Sequence, residues 1–141
     1  MKVSFSEIEY AFLFVSSDMM YTNNAYLCLT TGKMYYTSEW GDFDEFEKLP
    51  EDFEESDDFI QIPHRNELNL GRSLAIEFTS EYLPDELDRV YGYFSRAGAY
   101  ARFKDLLDIK DVLDDWYKYE NERTRAELKD WCERKNIELI Y

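Results

Sequence analysis

A chain of 141 residues, 45% hydrophobic and 18% aromatic, can bury about two-thirds of the surface it exposes when unfolded and is too apolar to stay disordered. Thirty-one acids against sixteen Lys and Arg give a net charge of −15, a field that opposes approach to phosphate backbones and argues against nucleic acid as a partner. No run nears the roughly eighteen apolar residues of a membrane-spanning helix, and Ala11–Val15 is too short for a secretion signal, so a cytoplasmic protein with no membrane role is expected.

The first predicted element is a helix, with Ser6 as N-cap, Glu9 three residues on, and Ile8, Phe12 and Val15 at helical spacing. From Tyr21 the period becomes two: Ala25, Leu27 and Leu29 alternate with Tyr26, Cys28 and Thr30, as a half-buried strand requires. Thr31-Gly32 predicts a tight turn into a returning strand over Lys33–Thr37. Phe59–Ile62 reads as a third strand, stopped by Pro63.

After Pro63 the pattern is helical. Leu68, Leu74, Ala75 and Phe78 lie on one stripe, with Gly71 bending or delaying the helix. Pro84 suits the first turn of a second helix bearing Leu87, Val90 and Phe94. Ser95–Gly98 is a break, after which Tyr100, Phe103 and Leu107 face inward. Asp108 is the expected cap of a long last segment with Leu113, Trp116, Tyr117, Leu128 and Trp131 on the core side. Its polar middle, Glu120–Arg125, is a place for a kink. Ile137–Tyr141 reads as either a short strand or an extended tail. The pattern predicts one α+β domain over 1–141: a small antiparallel sheet of about three strands, an N-terminal helix, and a C-terminal bundle of about four helices.

The charge is unevenly spread. Residues 39–58 hold eleven acids against one base, Lys48, so about two-thirds of the excess sits in twenty residues. The same segment carries Trp40, Phe43, Phe46, Leu49 and Phe53, more apolar content than a solvating tail needs. It reads as an acidic flap whose rings dock on the domain while its carboxylates face water.

Leu27–Lys33, Ile60–Leu68 and Gly98–Asp105, taken in order with Trp116–Glu120, Trp131-Cys132 and Ile137, resemble the uncharacterised protein family 0158, small bacterial proteins. None of these segments is specific alone; their order and spacing carry the resemblance, which covers most of the chain from Tyr26 onward. His64 and Cys132 depart from the family pattern, where a small polar residue and Leu are more usual. The resemblance brings no catalytic residues with it.

The chemistry-bearing candidates are few. His64 is the sole histidine, which excludes a His dyad, and its expected place is structural. Cys28 and Cys132 have no metal-ligand spacing and read as reduced, buried thiols. The acidic run lacks the loop pattern of a calcium site, and there is no P-loop, GxGxxG or GxSxG. No metal, cofactor or catalytic group is expected. One locally positive run, 89–104, interleaves Arg89, Arg96, Arg102 and Lys104 with aromatic residues and no acid.

Two functions follow. The leading one is a non-catalytic interaction or regulatory module that offers Trp40, Phe43, Phe46, Asp42, Asp44 and Glu45 to a basic protein partner, one form of which would be mimicry of nucleic acid. The alternative is a small-anion or phosphate-binding protein, or an enzyme, using Arg96, Arg102 and Lys104. Self-association through the aromatic surface is a third option.

Overall fold

The computed structural model describes residues 2–41 and 48–141. Its architecture is α+β. The described elements are β1 (Lys2–Ser4), α1 (Phe5–Ser16), β2 (Asn23–Cys28), β3 (Met34–Ser38), β4 (Phe59–Gln61), α2 (Arg72–Tyr82), α3 (Leu87–Tyr93), α4 (Ala99–Ile109), α5 (Leu113–Arg134) and β5 (Glu138–Ile140). They gather into two compact units, one of Met1–Leu68 with Glu127–Tyr141 and one of Asn69–Ala126.

In the first unit β2 is the middle strand of a three-stranded antiparallel sheet, with β3 on one side and β4 on the other. The β2–β3 turn places Gly32 at φ 77°, a conformation glycine takes without Cβ strain, and the Gly32 N–H donates to the Cys28 carbonyl at 2.8 Å. Strand side chains alternate between faces. Ala25 and Leu27 therefore share the face under α1 and are fully buried. Tyr36, opposite Ala25, joins them there, edge-on to Phe14 at 5.2 Å and Tyr10 at 5.6 Å.

Helix α1 buries Ile8, Phe12 and Val15, the predicted stripe, together with Phe5 and Ala11. It starts earlier than expected. Ser6 lies inside the helix, and the capping position belongs to Ser4, whose hydroxyl meets Ser6 Oγ at 2.7 Å rather than a backbone N–H. The cause is β1, which hands the chain straight into α1 and pairs in parallel with β5, Val3 opposite Leu139. The two readings left open for Ile137–Tyr141 thus resolve to a strand over Glu138–Ile140. Lys129 of α5 lies over the rings of Phe5 and Tyr141, 5.4 and 5.0 Å from their centroids.

Polar side chains hold the return from α1 to the sheet. Asn23, 9% exposed, donates from Nδ2 to the Phe14 carbonyl at 3.3 Å and to Ser17 Oγ at 3.1 Å, and its Oδ1 accepts from Ser38 Oγ. His64 is buried, and its Nδ1 accepts the Asn66 N–H at 3.1 Å. That assigns the ring proton to Nε2, which donates to the Asp18 carbonyl at 2.7 Å. These two bonds tie the chain after β4 to the turn after α1.

In the second unit Gly71 delays α2 to Arg72. Phe78 stacks on Tyr82 at 4.3 Å and meets Trp116 and Tyr119 edge-on, each at 5.3 Å. Phe103 stands 5.0 Å from Trp116. Offset and edge-to-face pairs of this kind contribute about 0.5–1.5 kcal/mol each beyond their buried area. Two expectations fail here. Tyr117 is exposed, because the face that carries Trp116 continues through Tyr119 and Arg123 at three- and four-residue steps. Asp108 lies within α4 and caps nothing; the chain turns into α5 through Asp111 at φ 61°.

The polar middle of α5 stays helical. The Arg123 guanidinium forks onto both carboxylate oxygens of Glu77, at 2.7 and 3.1 Å, and these bonds hold the Glu77 carboxyl below its ordinary range. With both partners partly exposed, the pair is worth no more than about 1 kcal/mol. A depressed folded-state pKa means that this contribution is present above the unfolded carboxyl value and fades as pH falls through the folded one.

The Asn23 contacts predict that Asn23→Ala, which leaves Ser38 and the Phe14 carbonyl without their buried partner, costs about 1–3 kcal/mol. Urea titration followed by circular dichroism measures it. A loss under about 0.5 kcal/mol would show that α1 and the sheet are held without Asn23, since that is the spread of ordinary surface substitutions.

Candidate functional site

The sheet face away from α1 is where the acidic segment attaches. Tyr26, Tyr35 and Phe59 project there, with Tyr35 and Phe59 5.9 Å apart. Phe53, from a single 3-10 turn over Phe53–Glu55, seats its ring 4.5 Å from Tyr26 and 5.2 Å from Phe59. Backbone bonds pin both ends of the segment: Glu39 N–H to the Thr22 carbonyl at 2.8 Å, and Leu29 N–H to the Asp58 carbonyl at 2.6 Å.

Trp40 stands at the head of the segment. Its ring is 74% exposed, yet its indole N–H donates to Asp18 Oδ2 at 3.0 Å. Asp18 Oδ1 accepts the Met19 N–H at 2.8 Å. These two bonds, the backbone one foremost, draw the Asp18 carboxyl below its usual range, so the Trp40 partner is a carboxylate.

At the other end Glu51, Asp52, Glu54, Glu55, Asp57 and Asp58 are all exposed. None of the six is in an ion pair among the described residues. Burial, and then the charge of Glu54, raises the Tyr26 hydroxyl, which places negative potential over the aromatic cluster itself. Of the other candidates for partner binding, Asp42, Phe43, Asp44, Glu45 and Phe46 lie outside the described residues.

The basic candidates belong to the second unit, and the fold separates them. Arg96 is exposed in the break before α4. Lys104 holds its ammonium 5.7 Å from the Tyr117 ring centroid. Arg102 alone lines a groove of about 330 Å³, where it is joined by Arg89 and Lys110. Gly98 at φ 76° opens the α4 turn, and Arg102 folds back to donate to the Ala97 carbonyl at 2.6 Å. Sequence reading named Arg89 only as a member of the run and missed Lys110. The available signal was the four-residue series Arg102, Leu106, Lys110, flanked by Asp105 and Ile109, which places these side chains on one face along α4 and the residue that follows it.

Among the described residues no three His, Cys, Asp or Glu side chains gather as a metal site, and no described helix is long and apolar enough to cross a membrane.

A model of an uncharacterised protein family (UPF0158) matches residues 9–141, nearly the whole chain. The chain belongs to that family. Neither a curated protein nor a solved structure matches it. Membership in UPF0158 assigns no activity to any of these residues, so their chemistry has to be argued from geometry.

The two thiols differ sharply in that chemistry. Cys132, enclosed, is pushed up by burial to about 11. Cys28, at the end of β2, meets Thr30 Oγ1 at 3.2 Å, and hydrogen bonds from Thr30 and then Thr31 bring its thiol down to about 7. Both are free and buried, Cys28 with 7% of its surface open to solvent and Cys132 with none. Alkylation by iodoacetamide followed by mass spectrometry should therefore be slow at both, with Cys28 modified first and with a pH midpoint near 7, below the roughly 8.5 of an ordinary thiol, and Cys132 untouched until the chain unfolds. Thr30→Val should move that midpoint upward. Equal labelling of both cysteines in the folded chain would contradict this assignment.

Proposed function

We propose that this protein is a non-catalytic interaction module, and that residues 39–58 present its binding surface to a basic protein partner. The observation that carries this reading is Trp40: a ring 74% exposed and at the same time fixed by a hydrogen bond to Asp18. A large aromatic side chain held in place on the free protein loses little conformational freedom on docking, which is the property of an interface anchor.

The charges fit the same role. Carboxylates already matched by internal Lys or Arg would offer nothing to a visitor. The six between Glu51 and Asp58 are exposed and without ion-pair partners among the described residues. Exposed charge of one sign mainly speeds encounter and selects against like-charged partners, while the anchor supplies the residence time. A basic groove that ordinarily takes a phosphate backbone is one such partner, and heparin would then compete for it.

Capture of proteins from a lysate of the source cell on the immobilised chain, compared across variants, tests the reading. Changing Glu51, Asp52, Glu54 and Glu55 to Lys should release every captured partner. Trp40→Ala should weaken the same partners by about tenfold or more, the scale of an anchor residue, and raising salt should mimic the charge reversal. Partners that survive the reversal unchanged would remove the acidic segment from any binding role.

A further inference from the structure

The groove of the helical unit carries its own chemistry. One wall is the α4 stripe of Arg102, Asp105, Leu106 and Ile109; the other is α3, which contributes Arg89 and Tyr93 four residues apart. Its cations are positioned rather than loose. Glu86, with its side chain only 16% exposed, forms ion pairs with Arg89 Nε at 3.2 Å and Lys110 Nζ at 3.5 Å, so one largely covered carboxylate sets the places of two bases. Arg102 makes its hydrogen bond to a neutral carbonyl and no ion pair among the described residues. In a chain of thirty-one acids, that leaves a guanidinium outside any ion pair among the described residues and lining a cavity.

The floor and mouth are apolar. Leu106 is buried beneath the groove, whereas Ile109 is 79% exposed, a placement the core does not require of it. Three cations against Asp105 and Glu86 leave a surplus of one positive charge. A carboxylate matches that surplus, and a phosphate monoester, with about −1.5 to −2 at pH 7, exceeds it by no more than about one charge. A polyphosphate would bring further negative charge beside Asp105 and Glu86, which is repulsive.

We propose that this groove binds a small amphipathic anion, a carboxylate or phosphate monoester with an apolar or aromatic body, the head on Arg102 between Arg89 and Lys110 and the body against Tyr93 and Ile109. A guanidinium takes either head through paired N–H donors, and a volume of about 330 Å³ is at the small end of ligand pockets. The groove therefore discriminates by the ligand's body as well as by its charge. The proposal is independent of the interaction reading, because none of its residues lies in 39–58.

Isothermal titration of the full chain with phenyl phosphate, inorganic phosphate and ATP tests it. Phenyl phosphate should bind more tightly than either inorganic phosphate or ATP. Arg102→Ala should weaken phenyl phosphate by about tenfold or more, as loss of a charged hydrogen bond does. Ile109→Ala should weaken phenyl phosphate severalfold and leave inorganic phosphate unchanged. Asp105→Asn should tighten phenyl phosphate and inorganic phosphate alike and admit ATP. Because Arg102 also holds the Ala97 carbonyl, Arg89→Ala serves as a second variant that spares that turn and should weaken binding as well. The proposal is overturned if phenyl phosphate does not bind, if inorganic phosphate binds as tightly, or if Arg102→Ala and Arg89→Ala both bind like the parent. Reversing the charges of Glu51, Asp52, Glu54 and Glu55 should leave the titration unchanged, which separates this site from the acidic surface.

Discussion

A three-stranded sheet has two faces, and this chain covers them by unequal means. On one face α1 lays down a full amphipathic stripe, Ile8, Phe12 and Val15 over Ala25 and Leu27, all essentially closed to water. On the other, Phe53 of the 3-10 turn Phe53–Glu55 is set between Tyr26 and Phe59. Among the described residues of the acidic segment, that insertion is the side-chain contact with the aromatic face of the sheet, and backbone bonds at Glu39 and Asp58 tie the segment's two ends.

The need for such an insertion follows from electrostatics. Eleven acids in twenty residues repel one another by about 1 kcal/mol for each pair near 4 Å in water, less as salt screens them. Nothing in that repulsion favours docking onto the sheet, so attachment must come from groups that do not titrate. Phe53 supplies apolar burial and edge-to-face contact, and the segment's two ends are tied through backbone amides at Glu39 and Leu29. Trp40 continues the logic on the outside, because its indole N–H fastens to a carboxylate without neutralising a net charge among the acids of the segment. The result is an acidic segment held by neutral fastenings, which leaves its described carboxylates, Glu39 and the six of 51–58, open to solvent.

Local periodicity carried most of the fold. The α1 stripe, the hairpin at Gly32, the delay at Gly71 and the break before Ala99 each depend on residues within a few positions of one another, and each could be read from the chain. What could not be read depends on partners remote in sequence. β1 is three residues long and exists because β5 pairs with it; neither has a period of its own. Tyr117 and Tyr119 are equally aromatic, and only the line from Trp116 to Arg123, fixed by the Glu77 fork, decides which of them turns inward. The basic run misled for a related reason. Arg96 falls in the break between two helices, and Arg102 and Lys104, two residues apart on α4, point roughly 200° from each other around the helix at 3.6 residues per turn. Closeness in sequence gathered charges that helical geometry then dispersed, and it passed over Lys110, which geometry brought back.

The two surfaces follow opposite electrostatic rules. Along residues 51–58 the carboxylates are numerous and exposed, so their field is broad, and in the proposed interaction selectivity would fall to the Trp40 ring rather than to charge. In the α3–α4 groove the charges nearly cancel, since Glu86 holds Arg89 and Lys110 and Asp105 stands on the same stripe as Arg102. The residual charge is small but localised on a planar donor. In a chain whose total charge repels anions, an anion site of the proposed kind has to act through directed hydrogen bonds and apolar contact at short range.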